Sequence, residues 1–272
     1  MENGREALRK AKRIVVKVGT STLTYDTGKI NFPRIDKLAM VLSDLVNRGR
    51  EVVLVTSGAI GVGVGKLKLR EKPKTVREKQ AVAAVGQCEL MHIYSKFFSE
   101  YGHTVGQILL TRDVVETPHT RENVTNTFET LLKRQIVPVV NENDSVSIDE
   151  IEYGEKRVFG DNDTLSAMVA ELVNADLLVI LSDIDGFYDG DPRKDKSSKK
   201  ISVIGEITPE LEKYAGGAGT RSGTGGMVTK LSAARIAMAH GTDMVLANGS
   251  KPEIILDIIA GEDIGTLFSS RR

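Results

Sequence analysis

Arg13-Ile-Val-Val-Lys-Val18 and Glu51-Val-Val-Leu-Val-Thr56, with a helical pattern between them, form the segment whose reading decides the fold. Both runs are short and β-branched, as strands are. Between them, Asn31 with Pro33 two residues on reads as a helix start, and Leu38, Val41, Leu42 and Leu45 fall on one helical face. Gly49 stands where the residue after a helix is expected. The alternation continues along the chain. Residues 104–109, 136–140, 176–181 and 243–247 read as strands, and residues 76–98, 121–134, 162–174 and 231–240 as helices. Strands alternating with helices imply an α/β fold, a mostly parallel sheet with helices on both faces, in which ligands sit at the carboxyl ends of the strands. No repeat, low-complexity tract or linker interrupts the pattern, so residues 1–272 read as one domain. The charged, serine-rich residues 194–200 read as a solvated loop.

Composition narrows the function. A chain of 272 residues can bury a sizeable core. Lys+Arg and Asp+Glu each number 37, so no net field draws the chain onto nucleic acid or an anionic membrane, and any anion site must be local. After the basic cluster Arg5, Arg9, Lys10, Lys12 and Arg13, the apolar run Ile14-Val-Val is broken by Lys17, too soon for a signal peptide. No stretch approaches a membrane span, and a cytoplasmic location is expected. Cys88, the only cysteine, excludes an internal disulfide, and its neighbours Ala83, Ala84, Val85 and Leu90 predict a buried thiol in a helix. His92, His103, His119 and His240 show no spacing for a catalytic pair and read as surface or packing residues.

The chemistry is expected at the strand ends. Lys17 lies inside an apolar strand, where an ammonium is costly unless it is neutralised, so it either reaches an edge or serves an anion. The second strand leads into Ser57-Gly-Ala-Ile-Gly-Val-Gly63, a turn of small residues with free N–H groups. Asn141-Glu-Asn-Asp-Ser145 suits a small charged molecule, or is an ordinary Asx-rich turn. Gly160-Asp-Asn-Asp163 opens a helix, where one Asp or Asn cap is expected, not three polar residues. After the strand ending at Ser182-Asp183, the loop 184–193 fails as an EF-hand because Phe187 occupies a ligand position. Gly223-Thr-Gly-Gly-Met-Val-Thr-Lys230 runs directly into a helix. Its glycines allow close backbone approach, the helix N-terminus is electropositive and Lys230 adds a full charge, which makes it a place to hold phosphate. It is neither a Walker A loop nor a dinucleotide fingerprint, and standing alone it would read as a flexible connection.

Lys17-Val-Gly-Thr-Ser, Thr56-Ser-Gly-Ala-Ile, Val139-Val-Asn-Glu-Asn-Asp144, Gly160-Asp-Asn-Asp163 and the turn at 223–230 occur in the order and approximate spacing of the glutamate 5-kinase family, which the chain resembles over nearly its whole length. The resemblance implies the three-layer αβα sandwich of the amino acid kinase superfamily, with glutamate bound by the N-terminal half, about 1–174, and ATP by the C-terminal half, about 175–272. By resemblance, Ser57, Asp144 and Asn162 hold glutamate. Lys17, Ser182, Asp183, Thr224, Gly225, Gly226, Met227, Val228, Thr229 and Lys230 hold ATP. Lys17 and Lys230 serve the transferring phosphoryl group and Asp163 orients them, so these three are the expected catalytic residues. The family commonly carries Thr where this chain has Ser182, which keeps the hydroxyl.

The resemblance further implies Mg²⁺ carried chiefly by ATP and water, with no protein ligand named, and feedback inhibition by proline. It also implies a homo-oligomer, hand-over of the acyl phosphate to a reductase, and no nucleic-acid or membrane partner. Many family members continue into a PUA domain, which is not expected within residues 1–272. The alternatives are another member of the superfamily, such as an acetylglutamate or aspartate kinase, and a catalytically inactive amino acid sensor. A sensor would have lost Lys17, Asp163 or Lys230, and all three are present.

Overall fold

A computed structural model describes residues 4–25, 29–146, 162–190, 195, 197–215 and 226–270. In chain order its elements are α1 (Gly4–Leu8), β1 (Arg13–Val18), α2 (Thr20–Leu23), α3 (Phe32–Asn47), β2 (Glu51–Val55), α4 (Ala59–Lys66) and α5 (Val76–Glu100). Then follow β3 (Val105–Leu110), α6 (Arg112–Glu116), α7 (Pro118–Lys133), β4 (Val137–Glu142), α8 (Asn162–Leu172), β5 (Leu177–Ser182) and β6 (Phe187–Tyr188). The chain ends with β7 (Lys200–Ile201), β8 (Val203–Ile204), α9 (Pro209–Ala215), α10 (Met227–Ala239), β9 (Asp243–Asn248), α11 (Ile254–Ile259) and β10 (Thr266–Phe268). An eight-stranded sheet runs in the order β3-β4-β2-β1-β5-β9-β10-β8, and β6 pairs with β7 in a separate hairpin. The chain divides into two compact units: residues 18–162, the inserted unit, and residues 1–17 with 163–272, the split unit.

In the inserted unit, β4 lies parallel to both β2 and β3. Every residue of β4 is buried, which is why its sequence is continuously apolar up to its polar end. Helix α3 begins where the sequence predicts: Asn31 Oδ1 accepts the Arg34 N–H at 3.1 Å, and Pro33 occupies the first turn. Gly49, with φ of 80°, turns the chain toward β2. Helix α5 starts with a capping box in which Thr75 and Glu78 satisfy each other's backbone N–H groups. It packs on α4 through glycines: a Cβ on Gly86 would fall onto the Ala59 carbonyl, and one on Gly63 onto the Val82 carbonyl.

In the split unit, β5 and β9 pair in parallel, and β10 runs antiparallel to β9. The start of β1 is fixed by Asp176, whose Oδ2 accepts the backbone N–H groups of Lys12 and Arg13 at 2.7 and 2.8 Å. Helix α1 is anchored by Arg5, a guanidinium only 3% exposed. It donates to the carbonyls of Ser202, Glu262, Ile264 and Gly265 and pairs with Asp263 at 2.9 Å.

All six strands and all five helices read from the sequence are present, with ends shifted by a few residues. The helix expected from residue 231 starts earlier, at Met227, so the glycine turn leads into it sooner. The short elements β6, β7, β8 and β10 and the short helices went unread, because two or three residues carry no periodicity. Cys88 lies in a helix as expected, but its thiol is exposed. The buried positions of α5 include Ala83, Gly86, Gln87, Leu90 and Tyr94, and Cys88 falls outside that stripe, so apolar neighbours in sequence are not its neighbours in space. Within 194–200, Asp195, Ser197 and Lys199 are exposed, while Lys200 pairs with Tyr188 in the β6–β7 hairpin.

The helix contact yields a test. Gly86→Ala forces α4 and α5 apart and should destabilise the chain by about 1–3 kcal/mol, the usual cost of overpacking. Gly65→Ala, where a Cβ meets nothing within 4 Å, should be neutral or slightly stabilising in thermal melts.

Candidate active site

Lys17 is the one charged residue among positions Ile14 to Val18 of β1, all of which are buried. An isolated ammonium there would be prohibitive. Its counter-charge comes from Asp163, in the first turn of α8 and 1% exposed: Lys17 Nζ lies 2.7 Å from Asp163 Oδ1. The other oxygen, Oδ2, faces Lys230 Nζ at 3.1 Å, from the first turn of α10. Thr229 Oγ1 lies 3.1 Å from the same oxygen and 2.8 Å from the Gly226 carbonyl. All of these residues belong to the split unit.

One carboxylate is shared by two ammonium groups, on Lys17 and Lys230, which are only 8% and 7% exposed. The N-terminus of α10, which Gly226 caps without a side-chain hydrogen bond, adds positive potential beside Lys230. Burial by itself would push the Asp163 carboxyl up, but the ammonium groups of Lys17 and Lys230, with their hydrogen bonds, outweigh it and hold the carboxyl below its ordinary range. Asp163 is therefore a fixed anion.

The other residues expected around ATP lie at neighbouring element ends of this unit. Ser182 closes β5; its Oγ donates to Asp183 Oδ1 at 2.9 Å and its carbonyl accepts the Gly249 N–H at 2.7 Å. Asp183 is exposed, Met227 is half-buried and Val228 is 55% exposed. Thr224 and Gly225, like Gly160 and Asp161, lie outside the described residues.

The residues expected around glutamate lie in the inserted unit. Ser57 follows β2 and is 8% exposed; its Oγ donates to the Val18 carbonyl at 3.2 Å and lies 3.4 Å from Thr20 Oγ1. Gly58, with φ of 90°, opens α4, and a Cβ there would stand 3.1 Å from the Thr20 hydroxyl. Asp144 sits half-buried in the turn after β4, beside Asn143, whose Oδ1 accepts from Ser145 Oγ at 2.6 Å. Asn162 ends this unit, with its Oδ1 buried and without a hydrogen-bond partner among the described residues. The structure thus brings Lys17, Asp163 and Lys230 into contact and sets Ser57 against Thr20. Sequence reading missed the Thr20 contact and the Thr229 hydroxyl on Asp163, although both residues stand in motifs it had singled out.

Residues 12–248 match the Amino acid kinase family. The chain belongs to that family. It is 65% identical to the glutamate 5-kinase of Clostridium perfringens (strain 13 / Type A), over 98% of this chain and 99% of that protein. It is 60% identical to the glutamate 5-kinase of Listeria monocytogenes serovar 1/2a, over 98% and 96%, and 57% identical to that of Enterococcus faecalis, over 97% of each. Among solved structures, a carbamate kinase from Giardia lamblia bound to AMP-PNP superposes with a TM-score of 0.66 at 16% identity, covering 96% of this chain and 99% of the other. A UMP kinase from Bacillus anthracis gives 0.63 at 17%, covering 96% and 97%. At such identities the likeness is one of fold, an αβα sandwich on a mostly parallel sheet.

Removing the shared carboxylate should be costly. Asp163→Asn removes the carboxylate that both buried ammonium groups share and is expected to destabilise the chain by about 3–5 kcal/mol. Because the folded carboxyl titrates below its unfolded value of about 4, the wild-type advantage is complete above that pH and shrinks as pH falls through the depressed folded value. Thermal unfolding of both proteins between pH 7 and pH 3 reads this directly; a constant gap across that range would contradict it.

Proposed function

We propose that this chain transfers the γ-phosphoryl group of ATP to the side-chain carboxylate of L-glutamate, giving L-glutamyl 5-phosphate, the first step of proline biosynthesis. The observation that carries the proposal is the buried cluster in which Lys17 and Lys230 converge on the one carboxylate of Asp163. Glutamate 5-kinases at 57–65% identity over nearly the full length support the choice of acceptor.

The acceptor carboxylate, with a pKa of about 4.3, is already ionised at neutral pH, so no general base is needed. What the transfer requires is positioning and neutralisation of the charge that gathers along the line of displacement. In this reading Lys17 and Lys230 supply the neutralising charge. Asp163 holds both ammonium groups at fixed points and stays ionised while doing so. The Gly226 end of the glycine turn and the first N–H groups of α10 receive phosphate oxygens. Ser182 and Asp183, with Thr224, Gly225, Met227, Val228 and Thr229, complete the nucleotide set.

Glutamate is held by the inserted unit: Asp144 faces its ammonium group, and Ser57 and Asn162 provide a hydroxyl and an amide. The divalent ion that kinases of this family use is Mg²⁺ in this reading. Asp163 has both oxygens committed to ammonium groups, which fits an ion carried on ATP rather than one bound by this carboxylate. When bound, Mg²⁺ would neutralise part of the phosphate charge.

We further read the chain as a cytoplasmic homo-oligomer without nucleic-acid or membrane partners. Proline inhibits it by competing at the glutamate residues, and the labile acyl phosphate passes to a reductase. Among the described residues no helix is long and apolar enough to cross a membrane.

Turnover of ATP with L-glutamate, N-acetylglutamate and aspartate, with hydroxylamine present to trap the acyl phosphate, tests the acceptor. Only glutamate should give hydroxamate at a useful rate. Lys17→Ala and Lys230→Ala should each lower kcat by about 10²–10³ in folded protein, as loss of one transition-state charge donor does. Near-normal turnover in either would sink the assignment. Asp144→Ala should raise KM for glutamate while leaving KM for ATP nearly unchanged, and equal losses for both would make the turn structural.

A further inference from the structure

The face of α5 that packs on the inserted unit carries two polar side chains seven residues apart, and each holds the end of a strand. Tyr94 Oη lies 2.7 Å from Thr56 Oγ1, the residue after β2. Gln87 Oε1 accepts from Asn141 Nδ2 at 2.9 Å, near the end of β4. The two strand ends are themselves joined, because the Thr56 N–H donates to the Val140 carbonyl at 2.8 Å. Ser57 follows directly on Thr56, and Asn143 and Asp144 follow Asn141 after one intervening residue.

The two contacts differ in what they return. Thr56 and Tyr94 have polar functions that meet each other, and neither is left wanting. Gln87 is 8% exposed and Asn141 1%, yet the Gln87 Nε2 is buried with no hydrogen-bond partner among the described residues. An unmet buried N–H costs at least as much as one neutral hydrogen bond returns, whereas replacing both members of such a pair by apolar groups of similar shape is close to neutral or stabilising. As a stability device the Gln87–Asn141 pair is therefore a poor choice. A leucine at each position would fill the same space without the unmet donor.

We infer that Gln87 is a positioning residue for the acceptor: through Asn141 it fixes the direction in which β4 delivers Asn143 and Asp144 to the amino acid. The inference rests on the reading of that turn as the glutamate site. An amide does this where an apolar contact cannot, because a hydrogen bond fixes the rotation of the Asn141 side chain and the strand end with it, while dispersion contacts leave both free to slide. Tyr94 holds the adjoining strand in the same way, so one rigid helix sets both polypeptide ends that face the substrate.

The experiment is the double variant Gln87→Leu/Asn141→Leu, measured beside the wild type and Asp144→Ala. A melting temperature equal to or above that of the wild type is expected, together with a KM for glutamate raised about tenfold, the scale of one lost orienting hydrogen bond. KM for ATP should hold. Single Gln87→Leu, which leaves the Asn141 amide unmet, should melt lower than the double variant and show the same rise in KM for glutamate. An unchanged KM for glutamate in a stable double variant would overturn the proposal. So would a double variant that melts well below the wild type or fails to fold, since the pair would then be supporting the core. If Asp144→Ala also leaves KM for glutamate unchanged, the acceptor assignment itself has failed; if it raises KM while the double variant does not, only the role of Gln87 is lost.

Discussion

One carboxylate between two buried ammonium groups is the constraint on which the split unit is arranged. Asp163 must sit at the start of α8 to reach Lys17 on β1 and Lys230 on α10 at once, so a strand and two helices converge on two oxygen atoms. Neither lysine could be buried without it. An apolar trio would pack the same volume at less electrostatic cost, so stability alone does not account for three charges at this point.

The inserted unit solves a different problem, that of presenting short polar turns rigidly. It does so with backbone contact rather than charge. Gly63 and Gly86 let α4 and α5 approach until carbonyls stand where side chains would be, which fixes α4, and α4 begins directly at the Ser57-Gly58 turn. The same helix α5 then reaches across to Thr56 and Asn141. Small residues bring the helices close, and a few polar ones set direction.

Much of this could be read in the chain itself. The long strands declared themselves as β-branched runs, and Lys17 stood out because a lone charge in an apolar strand demands a partner. What it pairs with could not be derived from spacing, since Asp163 is far away in sequence and its motif reads equally as a helix cap. The resemblance to kinases supplied that residue; the geometry gives the reason for it. Other features were illegible for a shared physical cause. The exposure of Cys88, the antiparallel β10, the Thr20–Ser57 contact and the Gln87–Asn141 pair all depend on which faces meet after folding, and local pattern does not carry that information.

The anchoring of Arg5 among residues 202 and 262–265 bears on how the chain is made. Translation delivers α1 well before the carbonyls of residues 202 and 262–265 that hold Arg5. The inserted unit, being continuous in sequence, has all its own contacts available while the remainder is still being translated. Helix α1 must therefore wait for its anchor until residues 262–265, just before β10, arrive. Closure of so long a loop is slow and leaves sticky surface uncovered meanwhile.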